Sequence, residues 1–156
     1  VYTLVDAARK AAIETVRPGA TIGEVHDAAV RTLVEGLIDL RVLSGDAAGL
    51  VESEAHKPYY PHQTSHWLGL DVHDPGDYAR NGSSRVLEPG MVFSVEPGLY
   101  FRPGGVQDEA EAFAGIGVRI EDDVVVTRDG CEVPTRQLAT AAADVEALVR
   151  DRSAGA

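Results

Sequence analysis

"PHQTSHWLGLDVHD", residues 61–74, gathers three of the chain's five histidines and two aspartates around Trp67, Leu68, Gly69 and Leu70. Imidazoles this close together on a partly apolar segment need partners once that segment packs. His66 and His73 lie an odd number of residues apart, so on one regular strand they would face opposite sides. They converge only if the segment bends, and Gly69 between them permits a bend or a bulge. Taken alone, the segment leaves a structural histidine cluster and a functional site as alternatives.

The two flanks differ in kind. Upstream, Leu4, Val5, Ala8, Ala12 and Val16 recur at helical spacing until Pro18-Gly19 stops the helix. Thr21-Ile22-Gly23-Glu24 reads as a capping box with Thr21 as N-cap. Behind it Val25, Ala28, Ala29, Leu33, Leu37 and Ile38 form the apolar stripe of a second helix ending near Leu40. A shorter helix is expected over residues 46–54. Downstream, short β-like runs alternate with Gly and Pro. Residues 91–95 read as a strand that ends where the backbone must turn at Pro97-Gly98. Residues 117–121 alternate, and residues 124–126 continue them after Asp122 and Asp123, which read as solvent-facing or turn residues, with the alternative that one of them supports a neighbouring ligand. Residues 128–130 form a turn, and residues 142–152 a closing helix with Val145, Leu148 and Val149 as its apolar side. Helices followed by strands, without a repeat or a linker, predict an α+β fold.

Two glutamates on apolar runs carry the chemistry further. Glu96 ends residues 91–95, and Glu121 sits between Ile120 and the valine run. A buried carboxylate needs a cation, a hydrogen-bond network or a raised pKa. Arg119, two residues before Glu121 and on the same face, offers a simple ion pair. Alternatively, one imidazole and two carboxylates from three segments make a ligand set for a divalent metal. Such sets favour harder ions such as Mn²⁺, and no cysteine competes. The other histidines could orient a substrate or shuttle a proton.

Composition bounds the partners. At 156 residues the chain is one domain or part of one, and 44% hydrophobic residues suffice for a packed core. A net charge of −11 argues against nucleic acid, whose binding rests on a basic footprint. No apolar run approaches the roughly 20 residues that a membrane helix needs. The single Cys131 excludes an internal disulfide and suits a reducing compartment, so a cytoplasmic location is expected. No Met opens the chain and a helical pattern begins at once, so a fragment lacking its upstream part is expected.

"HQTSHWLGLDVHD", "LEPGMVFSVEPGLY" and "GIGVRIEDDVVVT" resemble, in order and spacing, the signature blocks of metallopeptidases with the pita-bread (creatinase/aminopeptidase) fold. Within that family they are most similar to the Xaa-Pro aminopeptidase branch, and "RPGATIGEVHDAAVRTLVEGLIDL" resembles the helices that precede the histidine block. The resemblance implies that residues 1–156 are the C-terminal portion of a catalytic domain, an antiparallel sheet flanked by helices. His66 then matches the metal-binding histidine, and Glu96 a ligand that also serves as general base. Glu121 matches the glutamate bridging two metals. His62 and His73 match the histidines that contact substrate and steady the tetrahedral intermediate, with His73 donating to the oxyanion. Arg119 matches an arginine beside the site, and Tyr78 a pocket residue. Gln63 departs from the small residue usual after the first histidine.

The resemblance further implies two divalent ions, Mn²⁺ foremost with Co²⁺ or Zn²⁺ as alternatives, and a peptide with proline second as substrate. The full-length enzyme is expected to be a homo-oligomer that touches neither nucleic acid nor membrane. Two more aspartate ligands and an N-terminal domain are expected before Val1, so the fragment alone is expected to be inactive. An Xaa-Pro dipeptidase (prolidase) shares the ligand set, whereas a non-catalytic binding module on this fold would usually have lost ligands. His66, Glu96 and Glu121 are expected to converge with Trp67, Leu68, Phe93 and Val118 packed behind them.

Overall fold

The computed structural model describes residues 1–104 and 108–153. The predicted helices form where their apolar spacing places them. α1 (Tyr2–Thr15) and α2 (Ile22–Asp39) pack together through fully buried Val5, Ala8 and Ala12 on one and Val25, Ala29, Leu33 and Leu37 on the other. Each fully buried Leu or Val contributes about 1.5–3 kcal/mol. The capping box is present: Thr21 Oγ1 accepts the Glu24 N–H, and Glu24 accepts the Thr21 N–H. The short α3 (Ala47–Glu52) is capped by Asp46 and stops before Glu54, whose φ of 55° is left-handed.

The strands follow. β1 (Ala79–Arg80) and β2 (Ser83–Ser84) make a small hairpin, turned by Asn81 and Gly82 at positive φ. β3 (Val92–Val95) leads through Glu96 and Pro97 into β4 (Gly98–Tyr100); β5 (Gly117–Arg119) leads through Ile120 and Glu121 into β6 (Asp122–Val126). β3 pairs antiparallel with β6, with Val95 facing Asp122, and β4 pairs with β5, with Gly98 facing Arg119. The two ladders share one register, which sets Glu96 opposite Glu121 and Pro97 opposite Ile120. β7 (Cys131–Glu132) flanks β6 after the expected turn. On the other side of β3, residues 64–68 run antiparallel to it: Glu96 N–H donates to Thr64 O, Ser94 N–H to His66 O, and Leu68 N–H to Val92 O. α4 (Ala142–Ser153) closes the described chain. The arrangement is α+β, with helices flanking antiparallel strands.

Three expectations need correction. Pro97-Gly98 does not turn the chain away: the Pro97 carbonyl still accepts the Ile120 N–H at 3.4 Å, and pairing resumes at Gly98. A Cβ at Gly98 would lie 2.5 Å from Tyr100 Oη and 2.9 Å from Val118 O, so only glycine allows that approach. Asp122 and Asp123 are neither turn nor surface residues; both lie in β6, and Asp122 is 2% exposed because Arg9 and Thr135 satisfy its carboxylate. α4 has the expected extent, but Leu148 and Val149 are 56% and 61% exposed, so its apolar side is not a core face.

Candidate metal centre

Three segments meet at the joint between the two ladders. Cross-strand neighbours share a face, so His66 opposite Ser94, together with Glu96 two residues on, projects from one side of the paired segments. Glu121, opposite Glu96, joins them from the third. His66 Nε2 lies 3.3 Å from Glu96 Oε1 and 3.9 Å from Glu121 Oε1, and the three donor atoms fall within 4.8 Å of one another. The expected convergence is therefore present. Phe93 is fully buried behind it, with Trp67 and Val118 packed against the core. Leu68 is only half-buried, because period-two alternation puts it on the His66 side rather than behind.

The donor chemistry fits a divalent cation. His66 Nδ1–H donates to the Trp67 carbonyl at 3.1 Å, which aims Nε2 at the carboxylates. Ser94 Oγ accepts the His66 N–H at 2.9 Å and lies 3.4 Å from Glu96 Oε1, tying imidazole and carboxylate to one frame. Glu121's carboxyl is pushed up, first by burial and then by the charge of Glu96. Two opposed carboxylates and an imidazole nitrogen turned to them make a site that a positive ion relieves.

The other predicted residues surround this centre. Gly69 does provide the bend: Asp74 N–H donates to Trp67 O at 3.0 Å, and a Cβ on Gly69 would lie 2.5 Å from Asp74 Oδ2. The His73 ring thereby stands perpendicular to His66 with centroids 4.3 Å apart, its side chain exposed. His62 donates from Nδ1 to the Gln63 carbonyl at 2.8 Å, so its Nε2 accepts the Tyr100 hydroxyl at 2.8 Å. The Gln63 side chain itself is exposed. Arg119 turns to Tyr100 Oη (2.7 Å) and Glu96 Oε2 (3.5 Å) instead of Glu121, because the side chain at Tyr100 offers a hydroxyl beside its guanidinium. Tyr78 stacks on Trp67 at 5.5 Å and accepts the Trp67 N–H, on the side away from His66.

Sequence reading missed Tyr100, Thr64, Tyr60 and His26. Thr64, opposite Glu96, is fully buried; Tyr60 donates to its hydroxyl at 2.7 Å, and His26 Nδ1 accepts its N–H at 3.2 Å. Burial keeps the His26 ring toward its neutral form and holds the Tyr60 hydroxyl protonated. A tyrosine three residues after a strand's proline carries no local signal; only the shared register brings Tyr100 to Arg119. Among the described residues no helix is long and apolar enough to cross a membrane.

A nitrogen and two opposed carboxylates beside a pair of histidines form a group of donors close enough to share one divalent cation. Comparison with protein families narrows the class. The chain belongs to metallopeptidase family M24, matched over residues 1–128. It is 44% identical to an Xaa-Pro aminopeptidase of Escherichia coli over 96% of its own length and 33% of that relative. Among solved structures it resembles Pseudomonas aeruginosa aminopeptidase PepP at TM-score 0.91 and 47% identity, covering 99% of this chain and 35% of that one. It is also similar to Zn-substituted E. coli aminopeptidase P in complex with product, at TM-score 0.87 and 44% identity over 95% of this chain and 33% of that one. The fold is the pita-bread fold. The chain spans about a third of the length of the relatives it matches.

Proposed function

We propose that these 156 residues are part of the catalytic domain of an Xaa-Pro aminopeptidase, which releases the N-terminal residue from peptides with proline in the second position. The observation that carries this reading is the His66, Glu96 and Glu121 triad, with its donor atoms within 4.8 Å and Nε2 of His66 turned to both carboxylates. The names of the relatives support the substrate class. In this reading the three side chains would hold divalent ions, Mn²⁺ foremost, together with further acidic ligands from outside these residues. When bound, such ions lower the pKa of a water and polarise the scissile carbonyl.

The chain's own residues do the rest. Glu96 accepts the proton of the attacking water, and Arg119 beside its Oε2 keeps that carboxylate oriented. The exposed His73 ring, packed edge-on to His66, donates to the developing oxyanion. His62, fixed by Tyr100 and the Gln63 carbonyl, contacts the peptide. The natural protein acts as a homo-oligomer in a reducing compartment such as the cytoplasm, which suits the free Cys131. The test is hydrolysis by the Mn²⁺-loaded natural protein of an Ala-Pro dipeptide, a longer Ala-Pro peptide and an Ala-Ala peptide. Cleavage of the longer proline peptide supports the reading. Cleavage of the dipeptide alone would make it a dipeptidase, and equal cleavage of the Ala-Ala peptide would remove the proline requirement.

A further inference from the structure

We infer that Asp122, locked by Arg9 and Thr135, is the positioning residue for Glu121, an inference that rests on reading the triad as a cation site. Of the three donors Glu121 is held least by its surroundings: its side chain is 46% exposed, against 14% for His66 and 12% for Glu96. Glu96 has its N–H bonded to Thr64 and Ser94 beside its carboxylate, whereas among the described residues the Glu121 carboxylate has a looser contact, to His66 Nε2 at 3.9 Å. Its placement therefore comes through the backbone of β6.

That backbone is clamped one residue later. Alternation sends Asp122 to the face opposite Glu121, into the interior. There Asp122 Oδ2 accepts from the Arg9 guanidinium and Oδ1 from the Thr135 hydroxyl. Thr135 Oγ1 also accepts the Asp123 N–H at 3.1 Å, so one side chain grips two consecutive residues. Arg9, 7% exposed, is itself held by Asp6 at 2.6 and 3.2 Å and by Thr140 at 3.4 Å. α1, β6 and the 3₁₀ turn Pro134–Gln137 are thus joined at the position after Glu121. A buried ion pair is a weak source of stability, since its desolvation cost offsets the attraction and apolar replacements often do as well. What it supplies here is a fixed start for β6, and with it a fixed Glu121 backbone opposite Glu96.

The experiment separates geometry from stability. Mn²⁺ binding to the natural protein is followed by the electron paramagnetic resonance of the free ion, and thermal unfolding by circular dichroism. Three variants are compared with wild type: the double replacement Arg9→Met with Asp122→Leu, Thr135→Val, and Thr135→Ser. The double variant is expected to keep its unfolding midpoint while its Mn²⁺ affinity falls about 10- to 100-fold, the usual loss when a ligand's support is removed. Thr135→Val should weaken Mn²⁺ and Thr135→Ser restore it. Wild-type affinity in a folded double variant overturns the inference. Should the double variant not fold, the Thr135 pair decides alone: equal affinities in Val and Ser overturn the inference, and recovery in Ser supports it. A wild-type natural protein that takes up no Mn²⁺ overturns both this inference and the cation reading beneath it, whereas uptake indifferent to every variant overturns this inference only.

Discussion

Glu96 and Glu121 stand opposite one another across the strand pair, and His66 Nε2 lies 3.3 Å from the first and 3.9 Å from the second. Directly opposed like charges destabilise a strand pair. Burial, and after it the charge of Glu96, raises the Glu121 carboxyl above its ordinary value of 4.5. The metal-free native chain then holds a proton that the unfolded chain has released, so stability falls as pH rises from 4.5 toward the native value. Unfolding midpoints in EDTA should show this decline, and Glu121→Gln, which cannot ionise, should flatten it. Mn²⁺ should abolish the decline in wild type. Matching wild-type and Gln slopes in EDTA would show that the pair carries no such strain.

Glu96→Gln tests the same pair from the other side. It removes one ligand charge and the proposed base while preserving shape. Turnover of an Ala-Pro peptide by the natural protein should fall by about 10²- to 10⁴-fold, the range for loss of a positioned acid–base group. The unfolding midpoint without metal should hold or rise, because one of two opposed charges is gone. Unchanged hydrolysis would remove Glu96 from the mechanism.

Much of this was legible from the chain. Helix periodicity with Pro18-Gly19 and the Thr21–Glu24 box placed α1 and α2, because those signals are local. The two glutamates stood out as carboxylates on apolar runs, while the choice of His66 among the histidines came from the family resemblance. What escaped depends on register. Asp122 is polar beside a polar neighbour, and nothing nearby shows that Arg9, more than a hundred residues earlier, satisfies it. Arg119's choice of Tyr100 over Glu121 and the resumption of pairing after Pro97 likewise follow from β4 meeting β5. The apolar residues of α4 mimic a core stripe, yet Leu148 and Val149 are exposed.

Tyr100→Phe isolates the chain of hydrogen bonds from Arg119 Nε through Tyr100 Oη to His62 Nε2, at 2.7 and 2.8 Å. Without the hydroxyl both neighbours lose a partner, at about 1–3 kcal/mol if they stay buried and less where water reaches them. The part-buried His62 should swing more freely, so KM for a proline peptide should rise more than kcat falls. Mn²⁺ affinity should stay put, since no triad atom bonds to Tyr100. A loss of metal equal to the loss of activity would place Tyr100 in the ligand frame instead.

Ligand count leads to the last expectation. One imidazole and two carboxylates suffice to hold one ion loosely, but two ions about 3.5–4 Å apart need more donors than three side chains provide. Among the described residues His66, Glu96 and Glu121 are the one group of such donors close enough to share an ion. The 156-residue chain alone should therefore bind Mn²⁺ weakly and near one equivalent, and leave proline peptides intact. Extending it with the preceding segment of the natural protein, proposed to carry two aspartates, should raise the stoichiometry to two and restore cleavage. Calorimetric titration of both chains, run beside the peptide assay, reads the difference. Asp71 and Asp74, on the loop after Gly69, are one acidic reserve, but the Asp74 carboxylate is already engaged by the Asp71 N–H and abuts Gly69. Tight binding of two ions by the short chain would mean that this loop rearranges to complete the site, and the need for outside ligands would fall.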